Sequence, residues 1–323
     1  MCRDEFHLFG ANEKVADSIT HLNLEQQREK HSYPEEVDKL LGSYHKLFAR
    51  HQKLIRLNAQ QKKKLRETRN RLQERETMMT RDLLLAREIQ EQFLPQSKVE
   101  ILGCKFHSVY VPMDTVGGDF FDFIQLDDEK IGIFVSDVSG HGISAALITA
   151  MIKANLHYEN HLLHKPLDFL LELQHKMVPL LIDKYFTAFY GVINVKEKTF
   201  TYSNCAHLKQ LVFHKKTGKV EGMHLRGPII GICAFPRECF LEKTIPLSAG
   251  DRLYFYTDGI VEVFQGERSL SHQFGPEGVA GVISRYPFAD PEEQMKQIIA
   301  GAQAFQNKKE FADDIAVIVV EFE

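Results

Sequence analysis

"TVGGDFFDFIQLDDEKIGIFVSDVSGHGISAALITAMI", Thr115 to Ile152, is the stretch on which the reading of the fold turns. Two small knots of glycine and aspartate, "GGDFFD" and "SDVSGHG", flank one apolar, strand-like run, "KIGIFV". Asp119, Asp122 and Asp137 thus fall at the ends of apolar segments. A lone aspartate at such a place is ordinarily a turn former or a helix cap. The rest of the chain decides whether these are caps or ligands.

Outward from this stretch the pattern alternates short strands with blocks of helix. "KFHSVYVPM", "FFDFIQL" and "KIGIFVSDV" are rich in Phe, Val and Ile and predict strands. A helix follows Gly142 to about His157, and a second spans Leu167 to Leu181. "FTAFYGVINV" and "TFTYSNCAH" form one hairpin, and "QLVFHKKTGKVEGM" another around Thr217 and Gly218. "KTIPLSAGDRLYFYTDGIVEV", a helix over Pro291 to Gln306 and a last strand "DIAVIVVEFE" complete the chain. Strand pairs with helices in separate blocks predict an α+β layered fold of antiparallel sheets with helices packed outside.

The first part of the chain has a different composition. Glu35 to Leu94 contains no proline and a single glycine, Gly42, and is dominated by Lys, Arg, Glu, Gln and Leu, the composition of a long helix. A 3-4 spacing runs through Leu40, Tyr44, Leu47, His51, Leu54, Asn58, Gln61, Leu65, Thr68, Leu72 and Met79. This seam predicts a coiled coil of two chains, with polar His51, Asn58, Gln61 and Thr68 weakening it; the alternative is one helix lying against its own globular domain. Residues 1–33 are mixed, a helical arm or a partly ordered tail. In "DLLLAREIQEQFLP", Leu83, Ala86, Ile89, Gln90 and Phe93 share one face for docking on the next domain, and Pro95 stops the helix. The expected organisation is a helical dimerisation region over residues 1–95 and a second domain over 96–323.

Composition narrows the class. The 323 residues are 44% hydrophobic, enough for a globular core, and the net charge of −4 gives no reason to expect nucleic acid or an acidic membrane as partner. Five cysteines without a CxxC pair argue against a disulfide framework or a zinc ribbon and for free thiols in a reducing compartment. No apolar run approaches the roughly 20 residues of a spanning helix, and "MCRDEFHLFGANEK" lacks a signal-peptide core, so the expectation is a soluble, cytoplasmic protein.

Four acidic points occupy comparable places. Asp119 opens a strand, Asp137 ends one, Asp258 follows "RLYFYT", and Asp313 with Asp314 precedes "IAVIVV". Gathered together, such carboxylates would repel one another and raise their pKa values unless a hard divalent cation with oxygen ligands joined them. Singly, each motif reads as a turn or a solvated loop; their joint order is the stronger signal. "HYENHLLH" sets His157, His161 and His164 on helical spacing but lacks the glutamate of the zinc-protease motif, and reads as a solvated helix end.

The ordered set "AREIQEQFLP", "GGDFFD", "SDVSGHGISAAL", "NCAH", "GPIIGI", "GDRLYFYTDGIVE" and "FADDIAVIVV" resembles the bacterial PPM-type serine/threonine phosphatases of the sporulation-protein-E and RsbU kind, over about residues 83–323. The resemblance implies two stacked antiparallel sheets flanked by helices and two Mn²⁺ or Mg²⁺ ions at one end of the sandwich. It implies hydrolysis of phosphoserine or phosphothreonine, commonly on STAS-type anti-anti-sigma proteins of partner-switching pathways, by a water bridging the two ions. Carried over, Asp137 resembles the aspartate bridging both metals, the Val138 carbonyl its backbone neighbour, Asp258 and Asp313 the ligands of one metal, and Asp119 that of the other. Asp122 and Asp314 are left between direct ligation and support. Two departures stand out. "NCAH" replaces the more usual Asn-Ala-Gly-His, and Ala316 stands where Thr or Ser is frequent. His141 is either a proton donor to the leaving oxygen or a helix cap, so no catalytic side chain is assigned. The rival readings are a non-catalytic coiled-coil docking module and another two-metal enzyme such as a phosphodiesterase.

Overall fold

The computed structural model describes residues 35–158, 161–266 and 272–323. The expected arm or tail over residues 1–33 lies outside them. The described residues fall into two units, divided between Thr77 and Met78. Helix α1 runs Glu35–Phe93 without a break, as its proline-free composition predicts, and stops two residues before Pro95. Within residues 35–77 the seam leucines are exposed, Leu40 by 74% and Leu65 by 70%. Among the described residues no helix is long and apolar enough to cross a membrane.

The second unit is a sandwich. Strands β1 (Lys98–Ile101), β2 (Cys104–Val111), β7 (Gln210–His214), β8 (Lys219–Met223), β10 (Arg252–Tyr256) and β11 (Ile315–Glu321) form one sheet in the order β1-β2-β11-β10-β7-β8. Strands β3 (Asp119–Gln125), β4 (Lys130–Val138), β5 (Phe186–Asn194), β6 (Thr199–Cys205) and β9 (Glu242–Pro246) form the other, in the order β3-β4-β5-β6-β9. Every ladder is antiparallel. Helices α2 (Ile143–Tyr158) and α3 (Pro166–Met177) flank the five-stranded sheet. Helices α5 (Gly275–Arg285) and α6 (Pro291–Gln306) flank the six-stranded one, and a single turn, α4 (Asp258–Val261), follows β10.

Both sheets are therefore covered on both faces, which is why their strands read as continuous apolar runs rather than alternating ones. The alternation survives as a division between two cores. Phe121, Phe123, Ile133 and Val135 point between the sheets, where Phe189 meets Phe255 of the opposite sheet at 5.5 Å. Phe120 and Phe134, one residue out of phase, point to α2 and α3. The α+β sandwich, its hairpins and the long helix are borne out.

Two details differ. Ile89 is 54% exposed, off the face formed by Leu83, Ala86, Gln90 and Phe93, because one residue of helix turns it about 100° from Gln90. Helix α5, "GPEGVAGVISR", was not expected. Its three glycines give it poor intrinsic propensity, and burial of Val279 and Ile283 against the six-stranded sheet holds it instead.

Candidate metal centre

Antiparallel pairing brings the acidic points together. The start of β3 pairs with the end of β4, so Asp119 stands directly opposite Asp137. The end of β10 pairs with the start of β11. There Thr257 Oγ1 accepts the Ala316 N–H at 2.9 Å, and the Thr257 N–H is 3.2 Å from the Ala316 carbonyl. Asp258 and Asp313 follow and precede these strand ends. Asp137, the Val138 backbone, Asp258 and Asp313 line one cavity of about 360 Å³, together with Met113, His141, Tyr185 and Thr187. Asp119 is buried beside its partner Asp137.

Two glycines allow this approach. A Cβ on Gly118 would lie 2.7 Å from the Val138 carbonyl oxygen, and one on Gly259 would lie 2.0 Å from that of Asp314. Neither backbone could come so close carrying a side chain.

The electrostatics are those of crowded acids. Burial, then the neighbouring Asp137, holds the Asp119 carboxyl well above its usual range, while the Thr257 hydroxyl works in the opposite direction. Asp119 Oδ2 is buried and has no hydrogen-bond partner. Burial, then Asp313 and Asp314, push Asp137 up to about 6. Burial, then Asp137 and Asp313, push Asp258 up to about 8, and Asp313 is raised mainly by burial. An unpartnered buried carboxylate oxygen within an all-oxygen donor set fits a hard divalent cation. Among the described residues no three His, Cys, Asp or Glu side chains form a metal-holding group by themselves. A cation here would draw the remainder of its ligands from backbone carbonyls such as Val138 and from water, the usual habit of Mg²⁺.

The two undecided aspartates have other partners. Asp122 faces the helix side, where Lys153 Nζ meets it at 2.7 Å. Asp314 accepts the Met113 N–H at 2.7 Å and the Gly118 N–H at 2.6 Å, tying down the loop that leads into β3. His141 is exposed, with Nδ1 2.8 Å from Asp114 Oδ2. His207 is buried, which pushes its pKa down to about 4, and its Nδ1 is 2.7 Å from Thr187 Oγ1. Asn204 fixes the "NCAH" loop by accepting the His207 N–H and donating to the His207 and Leu225 carbonyls. Ala206 has φ +53°, the left-handed geometry that a glycine takes without strain, and Cys205 is fully buried. His164 lies 3.5 Å from Asp127 and His161 is exposed, so the histidine run plays no part in this cavity.

Three further residues bear on the site. Gln90 in α1 donates to the Gly117 carbonyl at 2.8 Å and accepts the Gly117 N–H at 3.1 Å, gripping the peptide two residues before Asp119. Lys184 Nζ donates to the Ser139 carbonyl at 2.9 Å, beside the Asp137 loop. Thr187 is the β5 partner of Asp137. The register of β4 and β5 could have pointed to Thr187; Lys184 carries no signal, because its partner is 45 residues away.

Comparison with known proteins places the chain in a family. The family model described as Stage II sporulation protein E (SpoIIE) matches residues 127–323, which include Asp137, Val138, Asp258 and Asp313. Phosphoserine phosphatase RsbP of Bacillus subtilis (strain 168) is 29% identical over 187 residues, 56% of this chain and 45% of that protein. Phosphoserine phosphatase RsbU of the same organism is 24% identical over 246 residues, 74% of this chain and 69% of that protein. The chain thus spans less than half of RsbP, and 32% of Protein IcfG from Synechocystis. Among solved structures, the SiaA-PP2C domain of Pseudomonas aeruginosa aligns with a TM-score of 0.65 at 22% identity, covering 77% of this chain and 98% of that one. The PP2C phosphatase domain and regulatory fragment of SpoIIE from Bacillus subtilis aligns with a TM-score of 0.56 at 16% identity, covering 71% of this chain and 65% of that one. At these identities the structural likeness speaks to the fold, a PP2C-type sandwich. With a family model matched over more than half its length, the chain belongs to the Stage II sporulation protein E (SpoIIE) family.

Proposed function

We propose that the chain is a metal-dependent protein serine/threonine phosphatase that removes phosphate from phosphoserine or phosphothreonine on a signalling protein. The observation that carries this reading is the convergence of three carboxylates, Asp137, Asp258 and Asp313, from three strand ends on one cavity, with the buried, unpartnered Asp119 Oδ2 of a fourth paired opposite Asp137. Asp119, Asp137, the Val138 carbonyl, Asp258 and Asp313 would hold two Mn²⁺ or Mg²⁺ ions. The chemistry such bound ions supply is charge to offset the phosphoryl oxygens and to make water acidic enough to attack.

The chain's own residues orient the reaction. Asp314 and Gln90 fix the loop that carries Asp119 from two sides. Lys184 holds the Ser139 carbonyl and so the turn after Asp137. Burial keeps His207 neutral at working pH, as a partner for Thr187 rather than as an acid. The open cavity admits a phosphorylated side chain from a protein surface. The relatives named phosphoserine phosphatases support a phosphoprotein substrate, and a STAS-type anti-anti-sigma protein is the class we propose. The exposed seam of α1 supports a homodimer, and the free thiols Cys104, Cys205, Cys233 and Cys239 a cytoplasmic setting.

The 323-residue chain should hydrolyse p-nitrophenyl phosphate with Mn²⁺, stop on chelation, and lose about a hundredfold or more of its rate in Asp137→Ala. Folded wild-type protein without Mn²⁺-dependent turnover would leave the docking-module reading in its place.

A further inference from the structure

We propose that a second groove, beside the carboxylate cavity, receives an apolar side chain from the substrate segment that carries the phosphoserine. This rests on the phosphatase reading and names what the site recognises besides phosphate. The groove has a volume of about 430 Å³ and shares Met113 and Asp313 with the cavity. A single extended peptide, rising about 3.3 Å per residue, can therefore occupy both, with the two side chains one to three positions apart.

The walls are more apolar than those of the neighbouring cavity. Val111 and Met113, at and just beyond the end of β2, are 48% and 41% exposed. Ile299 of α6 and Phe311 of the following loop are half-buried and, with Pro112 and Ile315, add to this apolar lining, which Gln303, Lys309, Glu310 and Asp313 edge with polar groups. Scattered exposed apolar residues mean little; here they line a concavity that opens next to a charged site. The far wall is built rather than loose. Gln303 Nε2 donates to the Lys309 carbonyl at 2.8 Å, and Gln306 Nε2 to the Glu310 carbonyl at 3.0 Å, which staple the 308–310 loop to α6. A preformed pocket loses little on binding, so its selectivity goes into the occupant. Continuity with the cavity favours a substrate side chain over a second copy of this chain. Phe311 and Ile299 favour an unbranched or γ-branched apolar group such as leucine over a charged one, which would lose its hydration there.

The test uses the 323-residue chain with Mn²⁺. Its substrates are p-nitrophenyl phosphate and a series of phosphoserine peptides in a Gly/Ser/Lys background, with one leucine moved from three residues before the phosphoserine to three after. At one position leucine should raise kcat/KM about tenfold or more over serine, the range expected for burying one such side chain. Ile299→Gln, and independently the surface change Val111→Gln, should cut that gain to under threefold while leaving p-nitrophenyl phosphate turnover unchanged. Equal or absent turnover across the series while p-nitrophenyl phosphate is hydrolysed would overturn the proposal, as would a leucine gain that persists in both variants. A wild-type chain inactive on p-nitrophenyl phosphate would instead remove the phosphatase reading, and the groove's role with it.

Discussion

Asp119 and Asp122 stand three residues apart in one strand and have opposite fates. The two-residue period of β3 puts Asp119 between the sheets, opposite Asp137, and Asp122 under α2, against Lys153. Only the first is left with an unpartnered oxygen. Asp258 carries the consequence that can be measured. Its pKa of about 8 exceeds the ordinary carboxylate value, so the folded metal-free protein binds a proton that the unfolded chain has released. That contribution is whole below about pH 4 and is lost as pH rises through 8. Asp137, at about 6, is lost earlier. His207, held near 4, acts in the opposite sense: its contribution is present above about pH 6.5 and lost as pH falls toward 4. Between pH 6.5 and 8.5 the change therefore belongs to Asp258 together with Asp119, whose carboxyl is also held well above its usual range. In EDTA, Tm should fall across that window by roughly 2–6 °C, corresponding to about 1–2 kcal/mol. Asp258→Asn should lessen the fall and Mn²⁺ should reverse it. A flat or rising wild-type Tm in EDTA would contradict the arrangement. The aspartates were legible as a set because each abuts a strand of near-continuous apolar residues. Which of them share a face was legible only through register, which the turn residues between the strands do not announce.

At the scale of elements, the clearest junction is the end of α1. Leu83, Ala86, Gln90 and Phe93 follow a 3-4-3 spacing, and the polar member is the most buried of them. A glutamine in the middle of an apolar stripe looks like a flaw in the pattern until its partner is known: the Gly117 peptide, 27 residues on. That distance is why sequence placed the helix, its stop and its docking face, but not the grip. Helix α5 shows the opposite case, where glycine-rich sequence hides a helix that only its sheet stabilises. Gln90→Ala would leave the buried Gly117 N–H and carbonyl without partners, at about 1–3 kcal/mol. Tm should drop by roughly 2–10 °C. Because the freed loop carries Asp119, the Mn²⁺ concentration for half-maximal binding should also rise, by about tenfold. Calorimetry with and without Mn²⁺ reads both, and an unchanged pair of values would make the contact incidental.

For the molecule as a whole, residues 35–77 pose the remaining question. This part of α1 presents Leu40, Leu47, Leu54, Leu65 and Leu72 on one narrow line, each at least 60% exposed. Helical ion pairs such as Glu35–Lys39 at 3.4 Å and Lys63–Glu67 at 4.0 Å contribute about 0.3–0.5 kcal/mol each, too little to sustain so long a helix in water. Burying one leucine is worth about 1.5–3 kcal/mol, so a second copy along the seam outweighs those pairs several times over. His51, Asn58, Gln61 and Thr68 interrupt the line, and polar seam residues lower stability while fixing register, which favours one alignment over many. Light scattering on the 323-residue chain should therefore return twice its 37.2 kDa mass at micromolar concentration. Leu54→Glu with Leu65→Glu places charges in that seam and should return the mass of one chain, with the sandwich's near-ultraviolet dichroism intact. A wild-type mass of one chain would rule out the dimer and leave the single-helix reading in its place.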